Sequence, residues 1–375
     1  MPEFNAMEFA AKLLTEFVGT LFLVFTIATA AGQGAVLAAV SIGFTLTCMI
    51  YAGGHVSGAH YNPAVTLAVA IRGKAGGAIN IVGYVVAQFA GAAVGAALAS
   101  AFGIDGGIGF PSVGDRYTAA QALVCEIILT MALTNTVLNV ATSTKTAGNG
   151  FYGLAIGFTV LSGAISVGGI SGGCFNPAVA LLCVFRREWS DITIYIFGPL
   201  IGGALGALLF RLTADDELKP PDAPPTVPEL VRMLLVEFWG TFMLCFTVAL
   251  AASPYNGSGL AALSIGLILM AQVYTGGATS GANYNPAVSC ALLVRFQTAG
   301  AGAACAKIRE KFSPAKAVSY ILVQSVAALV AGGIASWIAG GRPSDDNAGG
   351  APFPGAGYST GQAFLSELMG TFMLA

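Results

Sequence analysis

The sequence predicts an all-α protein that crosses a membrane many times. Of its 375 residues, 56% are hydrophobic and only 9% charged, and the mean hydropathy is +0.78, whereas an ordinary soluble domain carries about 25% charged residues. Apolar stretches close to the roughly 20 residues that a membrane-spanning helix needs recur along the chain. This hydropathy disfavours a soluble helical core, and internal repeats arrange the apolar stretches in two tandem units.

Ten apolar segments are predicted to be membrane helices. They lie near residues 13–31, 35–53, 78–102, 118–140, 151–168, 190–212, 231–252, 258–276, 315–339 and from 361 to the last residue. The last segment is shorter than a span requires, so we expect the sequence to stop inside a helix. Of the sixteen lysines and arginines, only Arg116, Arg186, Arg187 and Arg342 fall outside if the N-terminus is cytoplasmic. This asymmetry predicts a cytoplasmic N-terminus.

A long repeat divides the chain into two units. The stretch LLTEFVGTLFLVFT at 13–26 recurs as LLVEFWGTFMLCFT at 234–247. We therefore predict a complete unit over 1–213, a proline-rich charged linker over 214–229 and a partial second unit over 230–375. Within the first unit, Glu16-x-x-x-Thr20 matches Glu126-x-x-x-Thr130. Three spans in each half give the halves opposite orientations in the membrane, which is an inverted repeat.

Three copies of a short motif follow the glutamates. They are Asn62-Pro63-Ala64, Asn176-Pro177-Ala178 and Asn285-Pro286-Ala287. Asparagine is a good N-cap and proline suits the first helical position, so each motif predicts a half-helix, the first over 64–72. In an inverted repeat, the first two half-helices point their positive N-terminal ends at one another near the membrane centre. Such a centre favours neutral molecules with lone pairs and disfavours cations, and we expect the asparagine NH₂ groups to face the lumen.

These residues resemble the aquaporin, or major intrinsic protein, family. The resemblance covers about 12–212 as a complete channel and 230–375 as the first part of another. It implies a six-helix bundle with two half-helices, one pore per unit and a tetrameric arrangement of units. In the second unit, Glu237-x-x-x-Thr241 and Glu367-x-x-x-Thr371 repeat the two glutamate motifs of the first unit. A fourth copy of the asparagine motif is therefore expected roughly 50 residues after Glu367, the spacing that separates Glu126 from Asn176.

Polar groups beside the motifs have two interpretations. A glutamate within a membrane span, such as Glu16 or Glu126, is by default a candidate proton relay or ion-coupling group. The family resemblance implies instead a structural role, in which each carboxylate holds the backbone of a half-helix loop. It also implies that His60 braces the first loop, although Asn283 stands at the matching position of the second unit.

The resemblance places a selectivity filter at four positions, Ile42, Ala164, Gly173 and Val179. Water-selective relatives have bulky aromatic or histidine groups at the first two positions and an arginine at the last. The present set predicts a wider and more apolar filter. Position 180 is an alanine, whereas the glycerol-conducting branch typically has an aspartate there. The filter therefore fits neither the water-selective nor the glycerol-conducting subgroup.

The predicted function is a passive channel for water and small uncharged solutes of the glycerol, urea, ammonia or hydrogen peroxide class. The alternatives are a water-selective channel, a secondary transporter and a non-conducting membrane scaffold. No motif indicates an enzyme, a metal site, a cofactor or a nucleic-acid partner. The expected partners are the permeating solutes, the lipid bilayer and further copies of the chain.

Overall fold

The structure is a computed structural model that describes residues 5–35, 37–104, 107–214, 217–218, 226–253, 256, 258–298, 312–340 and 359–374. Within these residues all regular structure is helical. Nine helices are long and apolar enough to cross a membrane among the residues described. The protein is therefore an all-α polytopic membrane protein.

The first unit contains eight helices. They are α1 (Ala6–Gly32), α2 (Ala38–Ser57), α3 (Pro63–Ile71), α4 (Ala78–Ala101), α5 (Ala119–Val137), α6 (Tyr152–Ser171), α7 (Leu181–Arg186) and α8 (Ile192–Thr213). Helix α5 continues as a π-helical turn, Leu138–Thr142, and a 3₁₀ turn, Thr144–Thr146, comes after it. Six of these helices are spans, and the short α3 and α7 come after the first two motifs.

Among the described residues, the rest of the chain adds five helices. They are α9 (Glu229–Ala251), α10 (Ala261–Ser280), α11 (Pro286–Gln297), α12 (Pro314–Ala339) and α13 (Thr360–Leu374). The predicted bounds of the apolar segments agree with these helices to within a few residues, except at α1. This helix begins earlier than expected because the side chain of Asn5 accepts hydrogen bonds from the backbone N–H groups of Met7 and Glu8, and so caps the helix.

Glycines allow the helices of the first unit to approach closely in two matching pairs. A Cβ atom on Gly91 of α4 would overlap the carbonyl oxygen of Phe17 in α1, and one on Gly202 of α8 would lie 2.5 Å from that of Ile127 in α5. The pairs α1–α4 and α5–α8 thus use the same small-residue packing. This is the packing counterpart of the inverted repeat.

The second unit packs on the first through α10 and α6. The hydroxyl groups of Ser162 and Ser166 in α6 both lie 2.9 Å from that of Ser264 in α10. At one end of this contact, the rings of Phe151 and Tyr274 stack with centroids 4.3 Å apart. A hydroxyl cluster between apolar helices satisfies its own donors and acceptors, so it fixes which faces of the two helices meet.

Candidate functional site

The first two motifs meet at the centre of the first unit. The backbone N–H of Ala64 donates to Asn62 Oδ1 at 2.8 Å, and that of Ala178 donates to Asn176 Oδ1 at 2.9 Å. Each asparagine side-chain oxygen therefore caps the turn that its motif begins.

The same two asparagines bind each other's loops. Asn62 Nδ2 donates to the carbonyl oxygen of Phe175 at 2.8 Å, and Asn176 Nδ2 donates to that of Tyr61 at 2.9 Å. This differs from the expectation that the NH₂ groups turn to the lumen, because one of the two N–H donors of each amide is used across the pair. Both asparagines nevertheless line the central cavity.

The two half-helices differ more than the motifs predict. Helix α3 begins directly at Pro63 and has nine residues. After Pro177 the chain first makes tight turns, with N–H groups bonded to carbonyls three residues back, as from Val179 to Asn176 at 3.0 Å. Regular helix α7 begins only at Leu181 and has six residues. The predicted second half-helix is thus a 3₁₀-like entry followed by a short α-helix, a common way for a helix to start.

Buried glutamates hold the loop before each motif. Glu16 is fully buried and accepts hydrogen bonds from the hydroxyl of Ser57 at 2.6 Å, the backbone N–H of His60 at 2.9 Å and that of Tyr61 at 2.7 Å. Gln88 Nε2 donates to the same carboxylate at 2.8 Å. These bonds tie α1 and α4 to the loop that precedes Asn62.

Glu126 makes the matching loop contacts in the other half. Its carboxylate accepts from the hydroxyl of Ser171 at 2.7 Å and from the backbone N–H groups of Cys174 at 2.9 Å and Phe175 at 2.7 Å. Tyr61 and Phe175, the residues before each asparagine, have φ values of 49° and 51°, in the left-handed region that non-glycine residues rarely occupy. The glutamate contacts therefore lie where the backbone most needs support.

His60 lies in the first loop beside Thr66. Its Nδ1 is 3.1 Å from Thr66 Oγ1, and Gln88 Nε2 donates to the same hydroxyl at 3.0 Å. The importance of Gln88 could not be seen in the first unit alone. A comparison of the two units could have found it, because Gln324 stands at the corresponding point of α12. Its Nε2 donates at 2.9 Å to Glu237, the counterpart of Glu16 in the second unit.

A mostly apolar cavity runs past the asparagines and has a volume of about 90 Å³, enough for several water molecules. All four predicted filter residues, Ile42, Ala164, Gly173 and Val179, line it, as do His60, Asn62 and Asn176. Residues that the sequence did not single out complete the wall, among them Leu23, Leu46, Ile50, Phe110, Leu133, Val137, Ile156 and Val160. They were missed because an apolar residue that faces a lumen has the same local pattern as one that faces the core.

The third motif repeats the first without an opposing loop. The backbone N–H of Ala287 donates to Asn285 Oδ1 at 2.8 Å, and Glu237 accepts from Ser280, Asn283 and Tyr284 as Glu16 does from its loop. Pro286 and Ala287 are exposed. Among the described residues, the second unit has one half-helix and no counterpart that faces it.

In the described part of the chain, no three histidine, cysteine, aspartate or glutamate side chains lie close enough together to hold a metal ion. The polar groups that do converge are amides, hydroxyls and buried carboxylates that bind backbone. A bundle of spans that encloses two broken helices, with a lumen between their N-terminal ends, defines a membrane channel.

The comparison with known proteins gives the family. The family model described as major intrinsic protein matches residues 3–210 and 223–299, so the chain belongs to the major intrinsic protein family. Members of this family are channels for water and small solutes, not enzymes, and this chain is such a channel. The two matched segments fit a tandem arrangement.

Curated relatives match over about one unit. The chain is 34% identical to aquaporin NIP1-1 of Zea mays over 221 residues, which are 55% of this chain and 76% of that protein. It is 34% identical to aquaporin-8 of Mus musculus over 222 residues, 56% of this chain and 84% of that protein. A solved structure, the aquaglyceroporin from Plasmodium falciparum, is 24% identical with a TM-score of 0.47, over 54% of this chain and 93% of that one.

Proposed function

We propose that residues 1–213 form one complete passive pore for water and small uncharged solutes of the glycerol, urea, ammonia or hydrogen peroxide class. The main support for this proposal is the central cavity. It is lined by both asparagines that cap the half-helices and by all four filter residues. The linker over 214–229 then joins this pore to a partial unit over 230–375.

Permeation would proceed by exchange of hydrogen bonds at the centre. Asn62 and Asn176 each spend one N–H donor on the opposite loop, which leaves one for a passing oxygen or nitrogen atom. The apolar wall offers few other partners. A solute therefore passes if it is small and uncharged enough to lose most of its hydration.

Ion exclusion would come from the same centre. Helix α3 and the turn that leads into α7 direct their N-terminal ends at the asparagines, and a helix N-terminus carries roughly half a positive charge. The side chains of the filter add no compensating anion, since Ile42, Ala164 and Val179 are apolar. A cation would lose its hydration in an apolar lumen and meet this positive potential.

The filter composition supports passage of solutes larger than water. Gly173 and Ala164 present little volume, and Val179 stands where strict water channels place an arginine. None of these side chains donates a hydrogen bond. We propose that Glu16, Glu126 and His60 are structural, because each is bonded to the loops that shape the pore and the carboxylates accept backbone N–H groups.

We also propose that the N-terminus is cytoplasmic and that units assemble as a homo-oligomer with a tetrameric arrangement. Ser264 of α10 is buried against α6, whereas Ser41, at the matching position of α2, is exposed. The equivalent face of the first unit is thus uncovered within one chain. A neighbouring unit that packed there as α10 packs on α6 would cover it.

The proposal is tested with purified protein in vesicles, by light scattering after an osmotic step and by cation flux under an imposed voltage. We expect faster water, glycerol and urea flux than in empty vesicles, with no added cation flux. Water flux without glycerol or urea flux would make the channel water-selective. Saturable uptake coupled to an ion gradient would indicate a secondary transporter, and no permeability at all would indicate a scaffold.

A further inference from the structure

The segment after α8 contacts the end of the first half-helix through a buried ion pair. Arg72 is the C-cap of α3, and its Nη2 lies 3.7 Å from Glu217 Oε2, with side-chain exposures of 6% and 4%. The guanidinium also lies over the ring of Phe210 in α8, 5.0 Å from its centre. Glu217 belongs to the predicted proline-rich charged linker, 214–229.

Glu217 also holds the connection between α5 and α6. The hydroxyl of Ser143 donates to its Oε1 at 2.5 Å, and the backbone N–H of Thr144 donates to its Oε2 at 2.9 Å. This connection has internal bonds of its own, from the Thr146 hydroxyl to the Asn139 carbonyl at 2.5 Å and from Asn149 Nδ2 to the Val140 carbonyl at 2.7 Å. Because the connection is held together by its own hydrogen bonds, the contacts of one carboxylate with Ser143 and Thr144 position the whole connection.

The segments that Glu217 joins are those that build the pore wall. Val65 of α3, Val137 of α5 and Ile156 of α6 all line the cavity. Glu217 is not among the lining residues, so any effect that it has on permeation must act through the segments that it contacts. It is a candidate positioning residue, supplied by the linker.

The described residues of the second unit show no such ion pair, and this offers an internal comparison. Arg295 stands in α11 where Arg72 stands after α3, and it is exposed. No carboxylate of the described residues lies within ion-pair distance of it. An arginine at this position is therefore not enough by itself to form a buried pair.

We infer that Glu217 positions the α3 end and the α5–α6 connection of the first pore, so that the linker between the units is a working part of that pore. The inference rests on the proposed channel function. Without Glu217, Arg72 would be a buried cation with no counter-charge among the described residues, and its Nε already has no partner there. Such a charge moves toward water rather than stay unpaired, which would release α3 and the connection together.

The test compares Glu217→Gln with wild type in vesicles that carry equal amounts of folded protein. We expect the ratio of glycerol to water permeability to rise by about threefold, which corresponds to about 0.65 kcal/mol of barrier, since a looser wall admits the larger solute. With equal amounts of folded protein, a role in folding alone would leave both fluxes, and therefore their ratio, unchanged. An unchanged ratio in Glu217→Gln therefore overturns the inference.

Two variants separate the pair from general charge effects. Glu8→Gln breaks the exposed Glu8–Lys12 pair and should leave the ratio at the wild-type value. Arg72→Gln with Glu217→Gln should return the ratio toward the wild-type value, because no unpaired buried cation is left in the double variant. A shift of equal size in Glu8→Gln, or a ratio in the double variant that stays as high as in Glu217→Gln alone, would contradict the inference.

Hydrogen exchange provides a readout that does not depend on conduction. The Thr144 amide, which donates to Glu217, should exchange faster in Glu217→Ala than in wild type, and Glu217→Asp should retain part of the protection. Unchanged exchange at residues 143–147 in Glu217→Ala would show that the carboxylate does not hold this connection. If wild type conducts nothing, the channel proposal fails, and this measurement still decides the contact.

Discussion

The first halves of the two units have the same internal hydrogen bonds and different surroundings. Glu16 and Glu237 each accept from a serine hydroxyl, two backbone N–H groups and a glutamine amide, at distances that agree to within about 0.1 Å. Gly19 and Gly240 both give space to a tyrosine ring of the next loop. A half-unit therefore folds its loop and caps its half-helix with contacts of its own.

The difference begins at the asparagine. Asn62 reaches the carbonyl of Phe175 in the opposite half, whereas the motif of Asn285 ends in exposed residues. The first half-helix also ends at a buried ion pair, whereas the third carries an exposed arginine, Arg295, at the matching position. The contacts within one half are thus enough to form a half-helix, whereas the lumen needs two opposed halves.

The largest expected effect is the loss of a bracing glutamate. Glu16→Ala removes the acceptor of four buried donors, each of which costs about 1–3 kcal/mol when unsatisfied. We expect a loss of several kcal/mol of stability and of nearly all water flux. Thermal unfolding in detergent and light scattering of vesicles measure the two quantities.

Glu237→Ala is the matched change in the second unit. It should disturb the loop before Asn285 to a similar degree and leave the water flux within about a factor of two of wild type, because distant sites act independently. Equal loss of flux in both variants would show that conduction through the first unit depends on the second. Water flux that is retained in Glu16→Ala would contradict the proposal that Glu16 holds the loop of the pore in place.

A smaller effect is expected at the filter, which only the second half of the first unit completes. Val179 is 2% exposed and lines the cavity, so Val179→Arg should narrow the lumen and add a positive charge. Glycerol flux should fall more than water flux, so that the ratio of glycerol to water flux decreases by about tenfold, which corresponds to about 1.4 kcal/mol of barrier. Val179→Leu, which adds bulk without charge, serves as the control, and equal losses of water and glycerol flux would contradict the assignment of this position.

Local chemistry explains which parts of the site the sequence predicted. Asn62 and Pro63 specify a helix start through their own side chains, so the half-helix could be placed to within one residue. The tight turns after Pro177 could not be predicted, because the same three-residue motif begins both half-helices. The backbone conformation after each motif depends on the tertiary packing around it.

Long-range contacts are the part that the sequence could not supply. The acceptor of Asn62 Nδ2 is a backbone carbonyl, which every residue has, so no pattern marks Phe175. Glu217 lies in a proline-rich charged stretch whose composition is typical of a solvated spacer. Only its contacts with Arg72 and Ser143 reveal a buried role, because burial of a charge is decided by the residues that pack around it.

The most direct test of a single complete pore uses matched tryptophans. Ile42 lines the cavity in α2, and Ile265 stands at the matching position of α10. With equal amounts of folded protein in vesicles, Ile42→Trp should reduce water and glycerol fluxes nearly to those of empty vesicles, and Ile265→Trp should leave both near wild type. If Ile42→Trp retained half of the flux or more, or if Ile265→Trp blocked it, conduction would not run through the pore between Asn62 and Asn176.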